Sequence, residues 1–365
     1  MPGAKDLESR YVETQCWFSG QPIYGLLQTA EYPPASYILL WPFLGWLAFG
    51  QVRWLWAATT LMALAWLAYL CVRESQASTR LQRLFIVFTV LSIYPTGNTI
   101  TVGQLGIHCL AMLVTGLLLL YRGLGRWWED LLGSALFVAA LVKPSTAAPF
   151  IWMVLFIPGR LRPFLLVSLG YAALTLIAAS FEESSLPTLL QAWLAQRNAV
   201  IVEGGYANFH KWMAAAGLKQ WMLSAALFTL LALGLWTWRY RRADVWLLLG
   251  VTALVARFWT YHRMYDDQLI LVPMIALFRL VRHGARPDGS DVTAGLLLAV
   301  NWAAMLTPVR TLQVQAQYPG IFGPLYLAAE AGHSIVWLAV LAFLLREAWQ
   351  ERNRSGAIAI SPGIS

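Results

Sequence analysis

Apolar residues occur along this chain in long blocks separated by short polar breaks, at 54–72, 84–95, 104–121, 131–142, 146–157, 163–180, 221–238, 245–260, 268–281, 292–307 and 324–345. The pattern predicts an all-α polytopic membrane protein of about eleven transmembrane helices, although several blocks are shorter than the ~20 residues a perpendicular span needs. Block 84–95 is the weakest. The sequence LVKPS interrupts an otherwise continuous apolar stretch over 131–157 and predicts two short helices meeting at Lys143. The stretch 34–52, PASYILLWPFLGWLAFGQV, is rich in Trp and Pro and reads as an interfacial or re-entrant segment.

Composition narrows this further. With 59% hydrophobic and 12% charged residues, a water-soluble globule is excluded. The net charge of +8 would suggest nucleic acid in a soluble protein. Here its placement points to membrane sidedness instead. Sixteen arginines fall in the short connections 73–83, 122–130, 158–162, 239–244 and 279–291 and in the tail from 346, which the positive-inside rule makes cytoplasmic. The opposite connections include the opening stretch, GNTITVGQ, the Lys143 turn, the long 181–220 segment and YHRMYDD. The expected organisation is an external acidic loop plus interfacial segment over 1–53, a transmembrane bundle over 54–346 with an external loop at 181–220, and a cytoplasmic tail over 347–365. Cys16, Cys71 and Cys109 lack any spacing that would support a disulfide framework or a thiolate metal site, and no cofactor is called for.

The polar exceptions to the apolar pattern gather on the non-cytoplasmic side. The stretch Asp6–Tyr37 is acidic and aromatic, with Asp6, Glu8, Glu13 and Glu31, a GQPIY turn, and Pro33–Pro34, whose fixed φ forces a bend. It reads as an active-site loop. On the same face fall Asn98 and Gln104, Lys143, Asn208, His210 and Lys211, then Arg257, His262, Arg263, Asp266 and Asp267, and Arg310. Each alone has a plain explanation: Lys143 and Arg310 as snorkelling cations, His262 as a satisfied interfacial histidine, His108 as a hydrogen-bonded residue of the bundle. Together, ionisable residues near span ends are costly unless paired or functional. A carboxylate can serve as general base toward a hydroxyl, and Lys and Arg can hold a phosphate and neutralise charge as it leaves. Sugar transfer from a lipid-linked phosphosugar uses these parts together, and one carboxylate suffices for an inverting displacement because phosphate leaves without strong acid help.

At these residues the sequence resembles glycosyltransferase family 87, the polyprenol-phosphate-mannose-dependent alpha-mannosyltransferases of the type C superfamily. The likeness rests on Asp6-Leu7, Tyr11, Glu13, Gly20, Tyr24, Tyr32-Pro33-Pro34, Gly97-Asn98, Gly103-Gln104, Lys143-Pro144 and Tyr265-Asp266, and covers about residues 6–280. The resemblance implies a multi-span fold, a polyprenyl-phosphate-sugar donor, a lipid or glycan acceptor, and inverting transfer of a hexose at the outer face of the cell membrane. It also implies an acidic general base in the first external loop, which Asp6 matches, with His262 as a helper and Glu13 as a competing carboxylate. Tyr32, Asn98, Gln104, Lys143, Arg257, Arg263 and Asp266 are the expected substrate-binding residues. Family members carry a span ahead of the acidic residue, so an active form is expected to need a segment upstream of Asp6.

Other type C reactions, such as ligation or polymerisation from a lipid-linked sugar, use similar parts and stay open at this stage. A lipid or sugar transporter would also be a polar-lined bundle, but it calls for charges near span centres and repeat symmetry, neither of which is evident. Neither reading involves nucleic acid.

Overall fold

The computed structural model describes residues 3–202, 205–282, 284, 288–318 and 320–360, with side chains described outside 199–202 and 355–360. Residues 203 and 204 of the expected external loop, and 361–365 of the expected tail, lie outside the described residues. Every regular element among the described residues is helical, without a strand. In order they form α1 (Lys5–Phe18), α2 (Pro34–Leu44), α3 (Phe49–Glu74), α4 (Arg80–Ser92), α5 (Tyr94–Val102), α6 (Gly106–Arg122) and α7 (Trp127–Ala140). The short α8 (Pro144–Ala147) and α9 (Ile151–Leu155) follow, then α10 (Arg162–Ala179), α11 (Leu186–Val202), α12 (Phe209–Ala215), α13 (Met222–Tyr240) and α14 (Val245–Phe258). A 3₁₀ turn (Met264–Ile270) leads into α15 (Leu271–Arg282), α16 (Ser290–Met305), α17 (Val309–Gln315) and α18 (Phe322–Ile360).

Among the described residues, four segments are long and apolar enough to cross a membrane: Phe49–Glu74, Arg162–Ala179, Lys219–Tyr240 and Phe322–Arg354. Counting α4 with α5 and α16 with α17 as single spans, each bent by 43°, raises the number to six. The eleven apolar runs therefore do not translate into eleven helices of spanning length, and α14 shows why. All its residues except Val255 are buried, so it is apolar on every side because protein surrounds it. A helix enclosed in this way reads like a span in the sequence. α15, buried from Leu271 to Leu280, does the same. The chain breaks between α7 and α8, at Leu141–Lys143, and α2 at eleven residues extends only about 16 Å.

The opening stretch differs from the expected loop. Lys5–Phe18 is a helix, with Asp6 and Glu8 in its first turn, where the helix dipole favours acids, and with no Gly or Pro between Ala4 and Gly20. Its buried face, Leu7 and Trp17, forms a satellite core with Tyr37, Leu40, Leu105 and Cys109. Trp17 stacks on Tyr37 at 4.7 Å between centroids and donates its indole N–H to the Ala178 carbonyl at 3.1 Å, which ties α1 to α10. At the arginine-rich ends, ion pairs knit the connections. Glu74 meets Arg122, Asp244 meets Arg279 at 3.1 Å, and Asp130 meets Arg160 at 3.0 Å.

Candidate functional site

A cavity of about 420 Å³ opens where the opening segment, the Lys143 break, α11, the start of α13 and the 259–266 turn meet. Its polar lining includes Glu31, Lys143, Arg197, Lys219, Tyr261 and Asp266, and its apolar flank includes Trp193, Leu223 and Trp259. Leu223 is 66% exposed and belongs to a helix long and apolar enough to span, so the flank opens toward where lipid would lie.

The Lys143 ammonium, 5% exposed, pairs with Oδ1 of Asp266 and lies 4.8 Å from the centroid of the Tyr265 ring. Pro144 fixes the start of α8 and leaves Lys143 in the break that precedes it. Burial alone would raise the Asp266 carboxyl, but Lys143 and His262 outweigh it and hold the group well below the usual carboxylate range. His262 donates from Nε2 to the Ala256 carbonyl at 2.8 Å, since a carbonyl can only accept, and turns Nδ1 toward Oδ2 of Asp266 at 3.2 Å. Burial lowers the imidazole to about 4 against the opposing pull of Asp266. A second pair faces the first across the cavity: Arg197 donates to Glu31 at 2.6 Å, and its guanidinium lies 5.7 Å from the Tyr261 ring centroid.

Residues 205–211 close over this turn. Tyr206 N–H donates to the His262 carbonyl at 2.9 Å, Ala207 N–H to Glu330 at 2.8 Å, and the Lys211 ammonium to Glu330 at 2.6 Å. Gly205 makes the approach possible: its φ of +119° is open to glycine, and a Cβ there would come within 2.9 Å of the His262 carbonyl oxygen. Arg257 is fully buried beneath the same segment, paired with Asp267 and donating to the Tyr206 carbonyl at 2.7 Å. Its donors are taken up by Asp267 and by the Tyr206 and Ala207 carbonyls.

Of the expected site residues, the cavity gathers Tyr32, Lys143 and Asp266. Asp6, Asn98, Gln104, Glu13, Arg257, His262 and Arg263 are not among its lining residues. Asp6 is half-buried on α1, and Gln104 donates to its Oδ2 at 2.5 Å. Gly103, at φ +72°, ends α5 in a left-handed turn that lets Leu7 pack within 2.7 Å of where a Cβ would sit, and so brings Gln104 to α1. The Tyr265 phenol, which does line the cavity, is pushed well above its ordinary range by burial first, then by Asp266 and Asp6. Glu13 is fully enclosed. It pairs with Arg10 at 2.7 Å and accepts from Thr29 at 2.6 Å and Tyr37 at 3.3 Å, pinning the 20s loop to α1. Arg263 is exposed and donates to the Tyr261 hydroxyl at 2.6 Å, beside the cavity, and Asn98 is half-buried away from it.

Arg197, Lys219, Trp193 and Tyr261 line the cavity without having been singled out from the sequence. The signal for Arg197 was a lone cation in LPTLLQAWLAQRNAV, an apolar stretch where an unpaired charge would be costly. Among the described residues no three His, Cys, Asp or Glu side chains converge so as to hold a metal ion. A family model described as glycosyltransferase family 87 matches residues 31–261, more than half of the chain. The matched stretch includes Glu31, Tyr32, Lys143 and Arg197 and stops short of Asp6 and Asp266. No curated protein and no solved structure matches the chain.

Proposed function

This chain belongs to glycosyltransferase family 87, a family of membrane glycosyltransferases, and on that premise we propose that it transfers a hexose, mannose by the family's donor class, from a polyprenyl-phosphate carrier to a hydroxyl of a lipid or glycan acceptor at the outer face of the membrane. The observation that carries the reading is the cavity itself, where buried and exposed cations meet an apolar flank on the first turns of a helix of spanning length. A polyprenyl chain fits the flank, and its phosphate fits the cations. Lys143 keeps N–H donors to spare after meeting Asp266, and that partner holds the ammonium in place before the donor arrives. Trp193, Trp259 and Tyr265 offer flat ring faces for the apolar side of a pyranose.

In the inverting reaction the acceptor oxygen attacks the anomeric carbon from the face opposite the phosphate. The bond from that carbon to the phosphate oxygen breaks, and its electrons leave with polyprenyl phosphate, which gains a second negative charge. The cations offset that added charge. The acceptor proton passes to the Asp6 carboxylate, which accepts from Gln104 between α5 and α6. His262 acts through Asp266, setting the position of the carboxylate that holds Lys143.

The test is a membrane assay with radiolabelled polyprenyl-phosphate sugars offered separately. Consumption of polyprenyl-phosphate mannose, with label arriving in a lipid or glycan fraction, is the expected result. Consumption of no polyprenyl-phosphate sugar by membranes holding the folded protein would overturn the proposal.

A further inference from the structure

At the other end of the same helix lies a second cavity, of about 490 Å³, built from Trp238, Arg239, Tyr240, Arg241, Arg242 and, from α18, Arg352 with Glu351. We propose that this is a binding site for the phosphate of an anionic phospholipid headgroup at the cytoplasmic surface of the membrane.

Position is the first argument. The segment Lys219–Tyr240 is 22 residues long, about 33 Å as a helix, which matches a hydrocarbon core of about 30 Å. Its beginning lines the first cavity and its end supplies the second. α18 runs the same way: Tyr326 and Glu330 lie beside the 205–211 segment, and Arg352 is near the end of the stretch Phe322–Arg354 that is apolar enough to span. The second cavity thus sits between two candidate spans where each would leave the hydrocarbon, on the arginine-rich side.

Charge is the second argument. Four arginines converge there and no ion pair joins any of them to a carboxylate among the described residues, whereas Arg122, Arg160 and Arg279 on the same side all have such partners. The one carboxylate in the lining, Glu351, accepts from the Asp244 backbone N–H at 3.1 Å. Two of the arginines are also oriented. Arg241 donates to the Trp238 carbonyl at 3.3 Å with its guanidinium 5.7 Å from the Trp238 ring, and Arg352 lies 5.8 Å from the Tyr240 ring. Guanidinium groups held on ring faces keep their forked N–H pairs for a planar or tetrahedral oxyanion. Trp and Tyr are also the residues that settle at headgroup depth, with basic pockets between spans the usual seat of anionic lipid. A free phosphate has the same oxyanion chemistry. The lipid is favoured because exposed Trp238 lines the pocket, and exposed Leu235 precedes it by three residues on the same helix, giving apolar surface that a soluble ion cannot use.

The test is native mass spectrometry of the delipidated full chain, titrated in parallel with dioleoyl-phosphatidylglycerol, dioleoyl-phosphatidylcholine and inorganic phosphate. Phosphatidylglycerol should bind at least tenfold more tightly than phosphatidylcholine, and R239Q/R241Q/R242Q/R352Q should lose that preference while R80Q/R83Q keeps it. Equal binding of the two lipids, or an unchanged preference in the fourfold variant, overturns the proposal. Displacement of phosphatidylglycerol by millimolar inorganic phosphate assigns the site to a soluble anion and overturns the lipid reading. Should the fourfold variant fail to fold, Trp238→Phe gives a second route. Brominated phosphatidylglycerol should quench parental tryptophan fluorescence more than brominated phosphatidylcholine does, and that excess should disappear in the variant. Persistence of the excess counts against the site. Both measurements read lipid binding, so they stand or fall independently of sugar transfer.

Discussion

Lys143 and Asp266 pair where water has little access, and each is held there by the other. Removing one partner of such a pair strands the other, at a cost of about 3–5 kcal/mol. Lys143→Ala should therefore lower the thermal midpoint as well as donor use. Lys143→Ala combined with Asp266→Ala should recover much of the stability and none of the donor use, because only the phosphate contact is still missing. Recovery of transfer in the double variant, measured with labelled donor, would reduce the lysine to a structural role. Asp6→Asn keeps the size and the contact with Gln104 but cannot take a proton, so transfer should fall by about 10²–10⁴-fold while donor binding persists. Glu13 belongs to a different category. With Arg10, Thr29 and Tyr37 around it, Glu13→Gln should act by loosening the loop on α1, visible as a lower melting temperature with a partial loss of transfer.

The segment 205–211 is joined to the 259–266 turn through the Tyr206 N–H and the His262 carbonyl, and to α18 through Glu330, so that the three form one unit. The pH response of that unit follows from His262. Its folded value, lowered to about 4 by burial, lies below the unfolded 6.5, so the unfolded chain binds more protons between these values. Stability is therefore fully present above about 6.5 and is lost as pH falls toward 4, a drop on the order of 3 kcal/mol across the window. Thermal unfolding followed from pH 7.5 to 4 should show the decline, and His262→Gln should flatten it. A parental profile level over that range would mean that His262 is already protonated against Asp266. Glu330→Gln should loosen the same unit from the other side, measured as faster hydrogen exchange at Tyr206 and Ala207 with α14 unchanged.

For the molecule as a whole, the two cavities mark opposite ends of α13, and the arginine asymmetry is the ground for proposing that the first faces outward and the second inward. Single cysteines at the exposed positions 101 and 209 should react with a membrane-impermeant maleimide from outside, and one at 242 should react only after permeabilisation. Cys71 and Cys109 are buried, and Cys16 can be replaced by serine to clear the background. The reverse labelling pattern would place the sugar site on the cytoplasmic side.

The class of the molecule was legible in its sequence because the bilayer imposes a composition that no water-soluble fold shares, and the family likeness was carried by residues with local reasons to be where they are. Gly103 makes the left-handed turn that presents Gln104, Pro144 starts the helix after Lys143, and the acidic first turn of α1 suits its dipole. The number of spanning helices was not legible, since a helix buried in protein and a helix bathed in lipid are equally apolar, and α14 and α15 are of the first kind. Nor could the sequence divide its cations between chemistry and structure. Arg257 and Lys143 look alike as single charges in apolar surroundings, yet one is sealed against Asp267 and two carbonyls and the other faces a cavity. Arg197 meets Glu31 across 166 positions of chain, and Lys143 meets Asp266 across 123. Local pattern carries no record of such pairings, because they are decided by which helices pack together once the apolar faces have been buried.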